Sequence, residues 1–240
     1  MSLLSGSARQ CVALVIEPLL EFLYPSWCLF CRVRIPPAQR HLCRPCWDSM
    51  PRLSPSDSLF EETRGKICVD GIVDDLVSVF VFEDQGVIRS LVHAMKYQSR
   101  ASAGVMLGAE VGMNMITRGI DGEIIVPIPL HRIKERERGY NQAEMIARGV
   151  SKMTGIPCVP RAVVRTKQTQ TQTMLTIDQR RENMEGAFDI GRKYAASMKN
   201  ATCILVDDVI TTGSTIVACA SVLKGAGAQR VVAASVALAR

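Results

Sequence analysis

The chain has 240 residues, 48% of them hydrophobic, enough for one sizeable core with room for a small appendage. A formal net charge of +6 favours anionic ligands or partners without separating a polyphosphate from nucleic acid. Nine cysteines would suit a disulfide framework in a small secreted protein, but they cluster unevenly and no secretion signal precedes them, so a reducing cytoplasm is the expected setting.

In chain order, residues 1–25 are predicted to form an amphipathic helix. The apolar stretch 11–24 is interrupted by Glu17, Pro18 and Glu21, which makes it too short and too charged to span a bilayer. Residues 26–50 follow as a cysteine-rich module. Cys28-x-x-Cys31 and Cys43-x-x-Cys46, separated by residues 32–42, can present four thiolates tetrahedrally to structural Zn²⁺. A closed set of four thiolates has no open coordination position and should stabilise folding rather than catalyse. Arg32, Arg34, Arg40 and Arg44 make the module basic, which fits contact with nucleic acid or an acidic partner as well as a solvated face. The Pro/Ser-rich start of residues 51–70 reads as a linker, and residues 71–240 as the main domain.

From residue 71 onward apolar runs alternate with helical patterns. Strands are predicted over 76–82, 123–128, 203–206 and 230–238, and helices over 87–97, 141–153 and 214–224, the last closed by Gly225. Such alternation predicts an α/β fold, a doubly wound parallel sheet. Bases cluster after the second strand: His131, Arg132, Lys134, Arg136 and Arg138, followed by Asn141. If this strand neighbours the 203–206 strand, the loop faces the same cleft and His131, Arg132, Arg138 and Asn141 are candidates for holding a pyrophosphate, with Lys96 a further one. The competing reading is a solvated helix face on which Arg and Glu pair. Residues 165–183, where Gln and Thr alternate before charge sets in, read as a long mobile loop or an exposed hairpin; a loop of that length suits a lid.

The most informative stretch runs from Cys203 to Thr215, Cys-Ile-Leu-Val-Asp-Asp-Val-Ile-Thr-Thr-Gly-Ser-Thr. A buried parallel strand delivers Asp207 and Asp208 to its carboxyl end, where open α/β sheets bind ligands. Thr211, Thr212, Gly213, Ser214 and Thr215 then supply small residues, hydroxyls and a helix N-terminus suited to a phosphate. The acids would repel that phosphate but suit the hydroxyls of an adjoining ribose, so one ligand must carry both groups. No Gly-x-x-x-x-Gly-Lys-[Ser/Thr] and no Gly-x-Gly-x-x-Gly after a strand is present, which sets aside the P-loop and Rossmann readings.

This stretch resembles the motif by which type I phosphoribosyltransferases bind 5-phosphoribosyl-1-pyrophosphate (PRPP). Pro127-Ile128-Pro129-Leu130-His131-Arg132, Arg136 and 138–142, with Arg165, Thr169, Gln172, Arg180, Asn183 and 186–188, resemble the ComF/GntX family of competence-related phosphoribosyltransferase-like proteins over nearly the whole chain from Pro25. The resemblance implies that Asp207 and Asp208 hold the ribose during catalysis, that 211–215 hold the 5-phosphate, and that Arg165, Gln172, Arg180 and Asn183 belong to a lid. It further implies Mg²⁺ bound with PRPP and transfer of phosphoribose to a nucleophile. Where purine-salvage relatives carry an aspartate that contacts the base, this chain has Thr211, which speaks against a purine acceptor. The alternative it implies is a non-catalytic PRPP- or nucleotide-binding adaptor in DNA uptake or single-stranded DNA processing, with the zinc module on DNA or a helicase-like partner.

Overall fold

The structure, a computed structural model, describes residues 25–36, 39–166 and 186–240. The helix predicted over 1–25 therefore lies outside the described residues but for Pro25. The chain divides into two compact units, Met1–Ser49 and Met50–Arg240.

The described part of the first unit is built from two cysteine turns. Cys28 N–H donates to Val33 O (2.9 Å) and Arg32 N–H to Cys28 O (3.1 Å), while Trp27 and Arg34 form an antiparallel bridge. The second turn leads into a short helix, α1 (Arg44–Asp48), with proline in its first turn and Cys46 buried, a position where the missing proline N–H costs no helical bond.

The second unit does not open on a free linker. Leu53 N–H donates to Val79 O (2.8 Å) and Val81 N–H to Pro51 O (3.0 Å), so the Pro/Ser-rich stretch pairs with the first strand. Helix α2 (Ser58–Cys68) follows and buries Phe60, Thr63 and Ile67, which recur at helical spacing. The expected linker over 51–70 is corrected accordingly.

The sheet contains β1 (Asp75–Phe82), β2 (Ile124–Pro127), β5 (Thr202–Ile210) and β6 (Arg230–Ala239). Their order is β1-β6-β5-β2 and every pairing is parallel. The inner strands β5 and β6 read as near-continuous apolar runs because both their faces are covered; eight consecutive residues of β6 are buried. Helices α3 (Val87–Tyr97) and α4 (Ala101–Thr117) connect β1 to β2, and α5 (Arg132–Arg138) and α6 (Gln142–Thr154) follow β2. A separate hairpin pairs β3 (Val163–Arg165) with β4 (Phe188–Ile190). A 3₁₀ turn (Arg192–Tyr194) and α7 (Ala195–Met198) precede β5, and α8 (Ser214–Gly225) joins β5 to β6.

Strand alternation sorts the two faces. Ile124, Val126, Cys203, Leu205, Val231 and Ala233 share one core cluster with the buried residues of α2, α8 and the β3–β4 hairpin, whereas the buried residues of α4 lie outside it. Helix α4 packs on α6 so closely that a Cβ at Gly108 would run into the Ile146 carbonyl and one at Gly149 into that of Val105. Helices thus cover both faces, and the sheet is doubly wound as predicted. The helices that follow β2 and β5 depart to opposite faces, and the carboxyl ends of two such neighbouring strands are where open α/β sheets bind ligands. Among the described residues, no helix is long and apolar enough to cross a membrane.

Candidate functional site

Two carboxylates stand in the second half of β5, beyond the buried run of Cys203, Ile204, Leu205 and Val206. The strand does not stop where the apolar run stops. Its pairing continues through Asp207 with Ser235, Val209 with Ala237 and Ile210 with Leu238, so the acids sit inside the ladder rather than just past its end. Alternation sends them to opposite faces. On one, Asp207 follows Cys203 and Leu205 towards α8; on the other, Asp208 Oδ2 receives Lys96 Nζ from the last turn of α3 at 2.7 Å. Asp207 Oδ1 accepts the Asp208 N–H and Asp208 Oδ1 accepts the Val209 N–H, both at 2.8 Å. Burial above all, and then the adjoining charge of Asp208, push the Asp207 carboxyl up from 3.8 to about 8, against the opposing pull of the Asp208 N–H and of Lys96. A half-buried acid beside another acid marks a place where a donor or cation from outside is favoured.

The chain then leaves the strand at Thr211 and Thr212 and turns through Gly213, whose φ of 76° is left-handed and which forms the N-cap of α8. No side chain caps this helix. Among the described residues the Ser214 N–H finds only Thr212 Oγ1, at 3.5 Å, and that oxygen lies 3.1 Å from Ser214 Oγ. A 12-residue helix whose first amides lack a strong internal acceptor offers both N–H groups and the positive end of its dipole to an anion. A side chain at position 213 would be strained by this φ and would also run into Ile67 of α2. Sequence reading missed this role of Ile67; the Phe60, Thr63, Ile67 spacing inside the supposed linker was the available signal.

The end of β2 lies beside these groups, with Ile128 N–H donating to Val206 O at 2.8 Å. The basic stretch that follows is helical, not a loop. His131 caps α5 by accepting the Ile133 N–H on Nδ1 at 3.3 Å, and Arg132, Lys134 and Arg136 are exposed. Arg138 donates to Gln142 Oε1 (2.7 Å) and lies over the Tyr97 ring, 5.8 Å from its centroid. Tyr140 Oη donates to Met95 O at 2.5 Å. The last turn of α3, which carries Lys96, is thereby fastened to the entry of α6.

Two expectations are corrected here. Asn141 is buried and its amide is engaged within the fold: Nδ2 donates to Ile128 O (2.8 Å) and Oδ1 accepts the Ala143 N–H (3.1 Å), capping α6. It holds strand and helix together. Arg165 is no part of a loose loop. It is the last residue of β3, with its guanidinium 5.5 Å from the centroid of Phe188, and burial draws it below the ordinary arginine value. Gln172, Arg180 and Asn183 lie outside the described residues. Thr166 N–H donates to Ala187 O (2.8 Å) and its Oγ1 to Gly186 O (3.1 Å), so the chain leaves and re-enters the described fold at one point.

In the first unit, the four Sγ atoms of Cys28, Cys31, Cys43 and Cys46 lie within 4.8 Å of one another. The Cys31 and Cys43 sulfurs are 3.6 Å apart, near the ~3.8 Å that a tetrahedron of ~2.3 Å Zn–S bonds requires. Although burial opposes it, N–H groups of Cys43, Cys31 and Phe30 draw the Cys28 thiol down to about 6, while burial and the other sulfurs push Cys46 up. Four thiolates this close repel one another unless a cation joins them, and soft sulfur donors in a tetrahedron fit zinc.

The profile of the phosphoribosyl transferase domain matches residues 137–240, which include α6, β5 and the turn into α8. Competence protein F of Haemophilus influenzae is 37% identical over 113 residues, 45% of this chain and 47% of that protein. DNA utilization protein YhgH of Escherichia coli strain K12 is 29% identical over 146 residues, 59% of this chain and 63% of that one. Competence protein ComFC of Bacillus subtilis is 32% identical over 94 residues, 39% and 35% of the two chains. The matches therefore span between about a third and two thirds of these relatives' own lengths. A solved structure of the allosteric regulatory enzyme of purine biosynthesis overlaps 60% of this chain and 29% of that one, at 18% identity and a TM-score of 0.41. Over these spans the chain is similar to competence protein F, ComFC and YhgH, and its residues 137–240, which follow the four-cysteine cluster in sequence, match the phosphoribosyl transferase domain.

Proposed function

We propose that the site at the ends of β2 and β5 binds PRPP together with Mg²⁺ and transfers its phosphoribosyl group to a nucleophile that these residues do not specify. The reading is carried by one observation: an acid pair in a central parallel strand runs directly into a glycine-capped helix start. The 5-phosphate sits on the turn from Thr211 to Thr215, where amides and hydroxyls donate to it. The ribose 2- and 3-hydroxyls donate to Asp207 and Asp208. Arg132 and Lys96 take the pyrophosphate; His131 and Arg138 set the position of α5. Asp207 and Asp208 are hard oxygen donors that would hold Mg²⁺ together with substrate phosphate oxygens, and the bound ion would supply charge neutralisation for the leaving pyrophosphate. The C1–oxygen bond breaks through an oxocarbenium-like state, pyrophosphate leaves with the electron pair, and the nucleophile forms the new bond to C1. Zinc in the four-cysteine cluster is structural.

The test of transfer is a screen for pyrophosphate release from PRPP and Mg²⁺ with nitrogen nucleophiles of several classes. Release that depends on the nucleophile and is lost in Asp207→Asn/Asp208→Asn supports the reading; no release with any of them argues against transfer.

A second reading is favoured by the names of the relatives, which refer to competence and to DNA utilization. Here the protein is an adaptor in DNA uptake that uses its phosphoribosyl site for binding alone, with the basic four-cysteine unit meeting single-stranded DNA or a helicase-like protein. DNA contact of this kind must weaken steeply with salt, with log K falling by roughly 0.7 per phosphate contact for each unit of log salt. Binding to an oligonucleotide that is absent at low salt, or unchanged by salt, removes direct DNA contact and leaves a protein partner.

A further inference from the structure

The ion pair between Lys96 and Asp208 places a cation of the chain on a carboxylate that the phosphoribosyl reading assigns to the ribose. Asp208 Oδ1 is engaged by the Val209 N–H and Oδ2 by Lys96 Nζ, at 2.8 and 2.7 Å. The two side chains are 29% and 14% exposed, so the pair is shielded from water, and an ammonium that leaves Asp208 without another anion to meet loses a strong interaction. The backbone that carries Lys96 is fastened. Tyr140 Oη holds Met95 O at 2.5 Å, Gln142 Nε2 lies 3.5 Å from the same carbonyl, and Arg138 stacks on Tyr97. Only the flexible lysine stem is left to move.

We infer that Lys96 is a specificity-determining residue, which selects phosphoribosyl ligands bearing an anionic group at C1 over those bearing none. The inference rests on the phosphoribosyl reading of the site. A ribose hydroxyl that donates to Asp208 competes with Lys96. A ligand with pyrophosphate at C1 offers the displaced ammonium a new anion, so the exchange conserves its charge pairing. A ligand with only a 5-phosphate takes Asp208 and leaves Lys96 with no acceptor, and it binds at that disadvantage.

Calorimetric titration of PRPP and of ribose 5-phosphate, each with Mg²⁺, into wild type, Lys96→Met and Lys96→Arg tests the exchange. Wild type should prefer PRPP. Lys96→Met should weaken PRPP and tighten ribose 5-phosphate, changing the ratio of the two Kd values by about tenfold or more, the scale of one charge-assisted contact. Lys96→Arg should keep the wild-type ratio. If the Met variant does not fold, as judged by its melting transition, Lys96→Gln retains a hydrogen-bond donor for Asp208 and should show the same change in ratio. A variant that weakens both ligands in equal proportion makes Lys96 an ordinary phosphate contact and overturns the exchange, as does a variant that changes neither. Failure of wild type to bind either ligand removes the phosphoribosyl reading itself, an outcome distinct from a failure of the exchange alone.

Discussion

Asp207 is the residue at which the fold and the proposed function pull in opposite directions. Its carboxyl is raised from 3.8 to about 8 in the folded chain. The folded state therefore holds this proton more tightly than the unfolded chain does. Stability from this group is complete below about pH 4 and is lost as pH rises through about 8. Asp207→Asn should consequently melt several degrees above wild type at pH 8.5, with the gap closing towards pH 4.5, a shift on the scale of ~1 kcal/mol or more. Thermal melts across that range check it; equal melting at pH 8.5 would mean that the carboxylate is not under strain. Gly213 makes the complementary case. Ala at this position must adopt a φ of 76° and push against Ile67, so Gly213→Ala should cost about 1–3 kcal/mol in denaturant unfolding and abolish ligand binding at the turn.

At the scale of elements, what could be read from the sequence depended on amphipathicity and on motif. Helix α3 carries one apolar face and charges opposite, and its predicted bounds agree with those observed. Helix α4 was not foreseen, because Ala, Gly, Met and Val occur around its whole circumference and leave no periodic contrast to detect. Its signal lay elsewhere, in Gly104, Gly108 and Gly112 at intervals of four, which admit the backbone of α6. The predicted end of β5 came early for a similar reason. Asp207 and Asp208 end the apolar run, but pairing with β6 carries the strand to Ile210. Asn141 reads as a ligand-binding candidate in the sequence and is the N-cap of α6 in the structure, because an N-cap asparagine and a ligand-binding one look alike in sequence. If the α4–α6 crossing is as close as Gly108 and Gly149 allow, then Gly149→Leu should destabilise the protein by ~2 kcal/mol or more through overpacking, and equilibrium unfolding would measure it; a neutral effect would contradict the crossing.

At the scale of the whole molecule, the four-cysteine unit and the sheet unit depend on different forces. Among its described residues the first has few buried side chains and a cluster of sulfurs, so a bound metal would supply much of its stability, on the order of 10–16 kcal/mol in comparable small sites. Elemental analysis should find about one zinc per chain, and a strong chelator should expose residues 25–49 to proteolysis while the melting of the sheet unit persists. The sheet unit has an extended apolar core on both faces and should need no metal to fold. Release of zinc without any change in protection would show that the cysteines are not its anchor.

For PRPP to be held at the end of β5, the acids and the turn must act as one binding site. Calorimetric titration of PRPP with Mg²⁺ into zinc-replete wild type and the Asp207→Asn/Asp208→Asn variant tests that directly. Saturable binding to wild type that is lost in a variant retaining its melting transition is the predicted result. Absence of binding to wild type, or binding undiminished in the variant, would contradict it.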